Sequence, residues 1–254
     1  MKIKFKEFDP HNVQKNTLYK IAENNSVVVR EHHEVGDDIL HLSYHLENNQ
    51  YGIFAYEYRR PEVEKEGCKA ADVLACVVDE GDKKICSLIM DLKSNIMCFD
   101  DDVTKGNMAI VAITNVSNFI QQLHDEKLHK DSFLLYLKDE EYEETEYFGI
   151  VTRKFEPEKF SKVSEYVENI MQDDSKNVPD LIKYKTKNSL APYYSELPKI
   201  RDFSNKKVYM CGKYYDLHIV LLKEKAENYS AMLTIPDDLP EGVNFSVSLN
   251  EKSF

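Results

Sequence analysis

The chain has 254 residues, enough for one large domain or two small ones with ample core. Its formal charge of −12 argues against a freestanding, sequence-indifferent DNA coater, which neutralises phosphates with excess lysine and arginine. It leaves a nuclease open, because a local basic path, a metal ion or a basic partner can supply the attraction. No apolar run approaches the roughly 18 to 20 residues of a membrane helix, and MKIKFKEFDPHN at the start lacks the apolar core and cleavage site of a signal peptide.

In chain order, residues 12–24 predict a short helix with Val13, Leu18 and Ile21 on one stripe. Residues 26–34, 39–47 and 50–59 alternate like strands, with Asn48-Asn49 a hairpin turn between the last two. Pro61 ends that run, and a polar connector holding Glu62, Glu64 and Glu66 follows. Residues 71–94 read as two apolar strands joined at Asp79-Glu80-Gly81-Asp82, with Gly81 suited to positive φ. Residues 104–128 carry a helical stripe at Met108, Ile110, Val111, Val116, Phe119, Ile120 and Leu123. Residues 132–138 (SFLLYLK) and 146–154 are apolar strands around an acidic loop, and 160–171 is an amphipathic helix. The polar stretch 173–179 is the candidate boundary. It separates an α/β core, 1–172, from a C-terminal region, 173–254, with strands at 207–211, 218–223 and 230–235 and a Pro/Asp/Gly-rich tail.

Within the 71–94 hairpin, Asp72 opens the first strand, and Asp91 and Lys93 close the second. Apolar strands rarely carry such charges without a reason, because unpaired charge in a low-dielectric site is costly. With a loop of two or four residues, Val78 faces Lys83 and Asp72 lies opposite Ile89. Asp72, Asp91 and Lys93 then share one face, the two carboxylates being diagonal neighbours within reach of one ion. A loop of three or five residues breaks that parity. The pattern D/E-x-K occurs at four places (Asp82/Lys84, Asp91/Lys93, Asp125/Lys127, Asp174/Lys176), but only Asp91/Lys93 ends an apolar strand with an acid one hairpin upstream.

The order helix, strands, D-x18-D-x-K hairpin, helix, strand resembles the PD-(D/E)XK, or restriction-endonuclease-like, superfamily over roughly residues 12–154. Ala71 stands where the family often has proline, and Asp91 where glutamate is commoner. The resemblance implies an α/β (α+β) fold with a mixed central sheet flanked by helices, here followed by a C-terminal β-rich extension. It also implies a nuclease in which Asp72 and Asp91 hold Mg²⁺ (or Mn²⁺) and Lys93 orients the attacking water and stabilises developing charge. A nucleic-acid substrate, DNA over RNA, a partner protein subunit and a microbial defence setting are the expectations that follow. Gln121 or Gln122 would face the site, although a solvated helix face accounts for either as well.

Other chemistry is thinner. His41 and His45 are four apart in a strand pattern, about 13 Å, too far to chelate one ion. His32, His33, His124 and His129 match no zinc signature. Nucleotide-binding glycine loops and hydrolase elbows are absent. The five cysteines (Cys68, Cys76, Cys86, Cys98, Cys211) are odd in number and never spaced C-x-x-C, which reads as reduced thiols in a cytoplasm. Residues 183–213 carry Lys183, Lys185, Lys187, Lys199, Arg201, Lys206, Lys207 and Lys213, with only Glu196 and Asp202 opposing; Tyr184, Tyr193, Tyr194 and Tyr209 are interleaved and Tyr214 and Tyr215 follow directly. Such a stretch suits a nucleic-acid backbone with exposed bases, or a docking face for an acidic partner. A solvated surface with inward-packed tyrosines is the plainer reading. The competing class for the whole chain is a non-catalytic binding module whose carboxylates are surface features.

Overall fold

The computed structural model describes residues 26–33, 36–47, 49–56, 71–93, 96, 106–138, 142–172, 187–224 and 231–249. In chain order they begin with β1 (Ser26–His33), β2 (Gly36–Tyr44), β3 (Gln50–Tyr56), β4 (Val73–Asp79) and β5 (Lys84–Leu92). The helix α1 (Gly106–Lys138), β6 (Glu143–Thr152) and α2 (Pro157–Gln172) follow. A 3₁₀ turn (Ala191–Glu196) leads into α3 (Leu197–Ser204), β7 (Lys207–Met210), β8 (Lys213–Glu224), β9 (Ala231–Thr234) and β10 (Val243–Leu249).

The apolar runs VLACVVD and KICSLIMDL become β4 and β5, buried along nearly their whole length. Strands covered on both faces read as continuous apolar runs because neither face meets water. They lie near the centre of a seven-stranded mixed sheet ordered β3-β4-β5-β6-β8-β7, with β9 also beside β8. The β3–β4 and β4–β5 pairs are antiparallel, whereas β5–β6 and β6–β8 are parallel. A parallel pair needs a crossover, and α1 supplies it between β5 and β6. A separate antiparallel sheet has the order β1-β2-β10.

Alternation along the strands divides the core in two. Leu74, Cys76, Val78, Ile85, Ile89, Phe148 and Ile150 pack with α1, α2 and α3 through residues such as Ile113, Val116, Phe119, Val163 and Ile200. On the opposite face Val73, Ala75, Leu88, Met90, Leu92, Val151 and Val220 pack against Leu40, Leu42 and Tyr44 of β2. The protein is thus a mixed α/β structure, with its described helices on one face of the sheet and the small sheet on the other. Gly149 permits the tightest contact within it: a Cβ there would lie 2.9 Å from the His218 carbonyl oxygen and 2.5 Å from Met90 Cε.

Several expectations change. The Asn48-Asn49 hairpin does not form, because β2 pairs with β1 and β10 while β3 pairs with β4. SFLLYLK is not a strand but the last turns of α1. The described strands beyond residue 173 are not set apart from the core: β8 pairs with β6 inside the main sheet, and β10, from the expected tail, pairs with β2. A single-sequence reading cannot see such pairings, because they join segments tens to hundreds of residues apart. The expected helix at 12–24 and the connector with Glu62, Glu64 and Glu66 lie outside the described residues, as do Cys68 and Cys98. Cys76 is buried, Cys86 half-buried and Cys211 exposed, all as free thiols. Burial pushes the Cys76 thiol up to about 12, so it behaves as a small hydrophobe. No described helix is long and apolar enough to cross a membrane.

Candidate active site

The β4–β5 turn sets the parity on which the site depends. Asp79 pairs with Lys84, leaving Glu80–Lys83 as a four-residue connection. Asp79 holds it, its Oδ1 accepting the Asp82 N–H at 2.9 Å and its Oδ2 the Gln50 amide at 2.9 Å. The positive φ falls on Lys83 (56°), not on Gly81. The even loop keeps the expected parity, but the register is shifted by two from the sequence expectation. Val78 faces Ile85, and Val73 faces Met90. One step further, Asp72 lies directly opposite Asp91 rather than diagonal to it, where side chains on one face approach to about 5 Å.

Both carboxylates belong to the helix-facing side of the sheet, by alternation from Leu74 and Ile89. Asp72 Oδ2 accepts the Leu92 N–H at 2.7 Å, which fixes this carboxylate across the strand pair. Asp91 is fully buried. Lys93 Nζ lies 2.7 Å from Asp91 Oδ2, while the Lys93 side chain remains 31% exposed and so spans from the buried acid to solvent. Its backbone N–H donates to Val151 O at 2.9 Å, holding the residue after β5 against β6. By strict hydrogen-bond geometry neither Asp91 oxygen is satisfied among the described residues, and the polar groups that face it are Lys93 and Asp72. Burial, then the Asp72 charge, push the Asp91 carboxyl well above the usual carboxylate range, with Lys93 pulling the other way. The structure therefore brings Asp72, Asp91 and Lys93 together.

Two adjacent carboxylates offer the hard oxygen donors that a divalent cation takes, with the Lys93 ammonium already beside one of them. Asp72 and Asp91 are the residues that would hold Mg²⁺ or Mn²⁺. A second acidic group, Asp131, Glu144 and Glu146, also clusters closely enough to hold an ion. All three of its carboxylates are paired with lysine, whereas at the hairpin the Lys93 contact is to Asp91. Lys130, fully buried on α1, meets Glu144 and lies 2.5 Å from Glu146 and 3.3 Å from Asp131. Lys127 sits 2.8 Å from Asp131 and 2.5 Å from Glu146, and Ser87 Oγ donates to Glu144 at 2.7 Å. Burial pushes Glu146 up, but Lys130 and Lys127 outweigh it and hold the carboxyl at about 2. This cluster is an ion-pair network tying α1 to β5 and β6. Its signature in the sequence is DEKLHKD, which interrupts the α1 stripe opposite EETE and reads there only as a run of surface charge.

The remaining described candidates are placed as follows. Gln121 is exposed, and its amide donates to Asp125 at 2.6 Å, a local i, i+4 contact; Gln122 is half-buried. Lys183 and Lys185 lie outside the described residues, and Lys187 is half-buried. Arg201 is paired with Glu168, and Lys207 lies 3.9 Å from Asp216. Lys206 is exposed at the turn before β7 with φ 54°. Tyr209 and Tyr214, exposed and 5.0 Å apart between ring centroids, occupy the β7–β8 hairpin. Among the described residues of this basic, aromatic stretch, Arg201 and Lys207 are engaged with nearby carboxylates. Comparison of the chain with protein-family models, with curated proteins and with solved structures found no match in any of the three.

Proposed function

We propose that the protein is a divalent-metal-dependent nuclease of the restriction-endonuclease-like class. Asp72 and Asp91 are its metal ligands and Lys93 its catalytic lysine. One observation carries the reading: the acid opening β4 stands directly across from a fully buried acid near the end of β5, whose ammonium partner follows two residues later. The strand order β3-β4-β5, the α1 crossover and the parallel β6 support the same class, since this is the arrangement that the resemblance implies.

A bound Mg²⁺ or Mn²⁺ supplies charge neutralisation at a phosphate and a more acidic water. The chain's own groups do the rest. Asp72 is held rigid by the Leu92 N–H, so its second oxygen has a fixed direction. Lys93, anchored through its backbone to β6, keeps a cation beside Asp91 with access to solvent. That ammonium orients the water attacking phosphorus and stabilises the negative charge that builds up as the P–O bond breaks. The substrate is DNA in preference to RNA. The acidic net charge suits an activity recruited by a partner subunit, in the setting of a microbial defence system in the cytoplasm.

The test is cleavage of labelled DNA and RNA with Mg²⁺ or Mn²⁺. Asp91→Ala and Lys93→Ala are each expected to lower the rate by about 10² or more. Activity that survives both substitutions rules the assignment out, and a protein that binds nucleic acid without cutting it is a binding module.

A further inference from the structure

β5, β6 and β8 are adjacent and parallel, so their carboxyl ends share one edge of the sheet. In open α/β sheets that edge is where ligands sit, because the chain leaves it in loops that can open a crevice. Each of the three strands delivers cations there. Leu92, Val151 and Val220 are level with one another across the sheet, as are Thr152 and Leu221. Lys93 follows immediately on β5. Arg153 and Lys154 follow Thr152 at the end of β6, and Lys223 lies two residues beyond Leu221 on β8, level with Lys154. Arg153, Lys154 and Lys223 are all exposed. Leu217 and Ile219 point to the helix side and Val220 and Leu222 away from it, so Lys223 shares the face of Asp91 and Lys93; by alternation from Ile150 and Val151, Lys154 continues that face and Arg153 flanks the edge from the other.

The charge continues into α2. Residues 153–162 hold Arg153, Lys154, Lys159 and Lys162 against Glu156 and Glu158, a local excess of cations in a chain of net charge −12. Glu156 bridges Lys154 at 3.0 Å and Lys159 at 3.1 Å, so one carboxylate serves two ammonium groups. From β5 to β8 the row spans two strand spacings, about 10 Å, comparable with two or three phosphates along one strand. Their chemistry suits a polyanion, and the row begins beside the carboxylates proposed to act on one.

We propose that the carboxyl edge of β5, β6 and β8 is a track for the phosphodiester backbone of a nucleic acid, gripped by Arg153, Lys154 and Lys223 as it passes Asp72 and Asp91. What the track delivers to the site rests on the nuclease reading; whether it binds does not.

The test measures binding of labelled DNA and RNA in EDTA across a salt series, beside cleavage with Mn²⁺. The proteins are wild type, the triple variant Arg153→Glu/Lys154→Glu/Lys223→Glu, the milder Lys154→Gln, and Lys84→Glu as control. Lys84 is 60% exposed on its side chain at the other end of β5, seven residues and about 23 Å from Asp91. The triple variant is expected to melt like wild type, bind about tenfold or more weakly, and lose about three from the salt slope, with Lys154→Gln losing about one and Lys84→Glu close to none. A wild type that binds neither DNA nor RNA overturns the track, as does a triple variant with unchanged affinity and slope. Binding that follows the expected pattern without any cleavage upholds the track and refutes the nuclease reading. Cleavage that depends on Asp91 but ignores the triple substitution does the reverse.

Discussion

Asp91 concentrates the tension of this site in one residue. Its carboxylate is fully buried, faces Asp72 across the strands, and has Lys93 as its single described cationic contact. Because folding raises its pKa, the residue favours the native state at low pH and weakens it as pH rises above the ordinary carboxylate value. Asp91→Asn removes the buried charge and leaves a solvent-accessible Lys93 that water can satisfy. In metal-free buffer at pH 7 this variant is expected to melt higher, by about 2–4 °C for each kcal/mol recovered in a chain of this size, while losing cleavage. A calorimetric scan in EDTA checks it, and a melting point at or below that of wild type contradicts it. The three charges were legible in the sequence because they interrupt apolar strands. The direct apposition of the acids was not, since it depends on Lys83 taking the positive φ that glycine chemistry assigns to Gly81.

The 33-residue helix α1 shows why an element can be misread. Its core-facing stripe is apolar through Leu123, then presents Glu126, Lys127 and Lys130, all buried, before Leu134 restores it. Read by hydropathy the helix ends at the charges, and SFLLYLK looks like a new strand. In the structure Lys127 and Lys130 find partners on β6, which no local pattern reveals. Lys130→Met removes the buried lysine beside Glu144, leaves Glu146 with Lys127 and the exposed Lys213, and is expected to cost about 3–5 kcal/mol by urea denaturation. The same network fixes a pH response. Glu146 is held at about 2 against an ordinary 4.5, so its contribution is present above pH 4.5 and fades as pH falls towards 2. That difference corresponds to about 3 kcal/mol at full strength. Wild type is expected to lose stability through this window, and Glu146→Gln to start lower and respond more flatly. Parallel slopes for the two proteins would place the acid sensitivity elsewhere.

At the scale of the whole molecule, the fold is closed by its last third. β8 pairs with β6 in the parallel part of the sheet, α3 contributes Leu197, Ile200 and Phe203 to the helix-side core, and β10 pairs with β2 in the small sheet. A chain truncated after residue 172 exposes one side of β6 and part of both cores, and is expected to be insoluble or to lack a cooperative unfolding transition. A truncated chain that melts cooperatively would restore the two-unit organisation suggested by the polar stretch at 173–179. That stretch marks a change of composition, and composition reports where charge lies without reporting which strands pair. The acid pair and the lysine were therefore readable before the fold was known, whereas the cations along the carboxyl edge of β5, β6 and β8 became visible only once those strands were adjacent. The central claim, that Asp72 and Asp91 together form a divalent-cation site, is most directly tested by anomalous diffraction from crystals soaked in Mn²⁺. The account predicts a peak bounded by the Asp72 and Asp91 carboxylates that disappears in Asp91→Asn. A peak among Asp131, Glu144 and Glu146 with none at the hairpin, or no bound ion in either place, would contradict it.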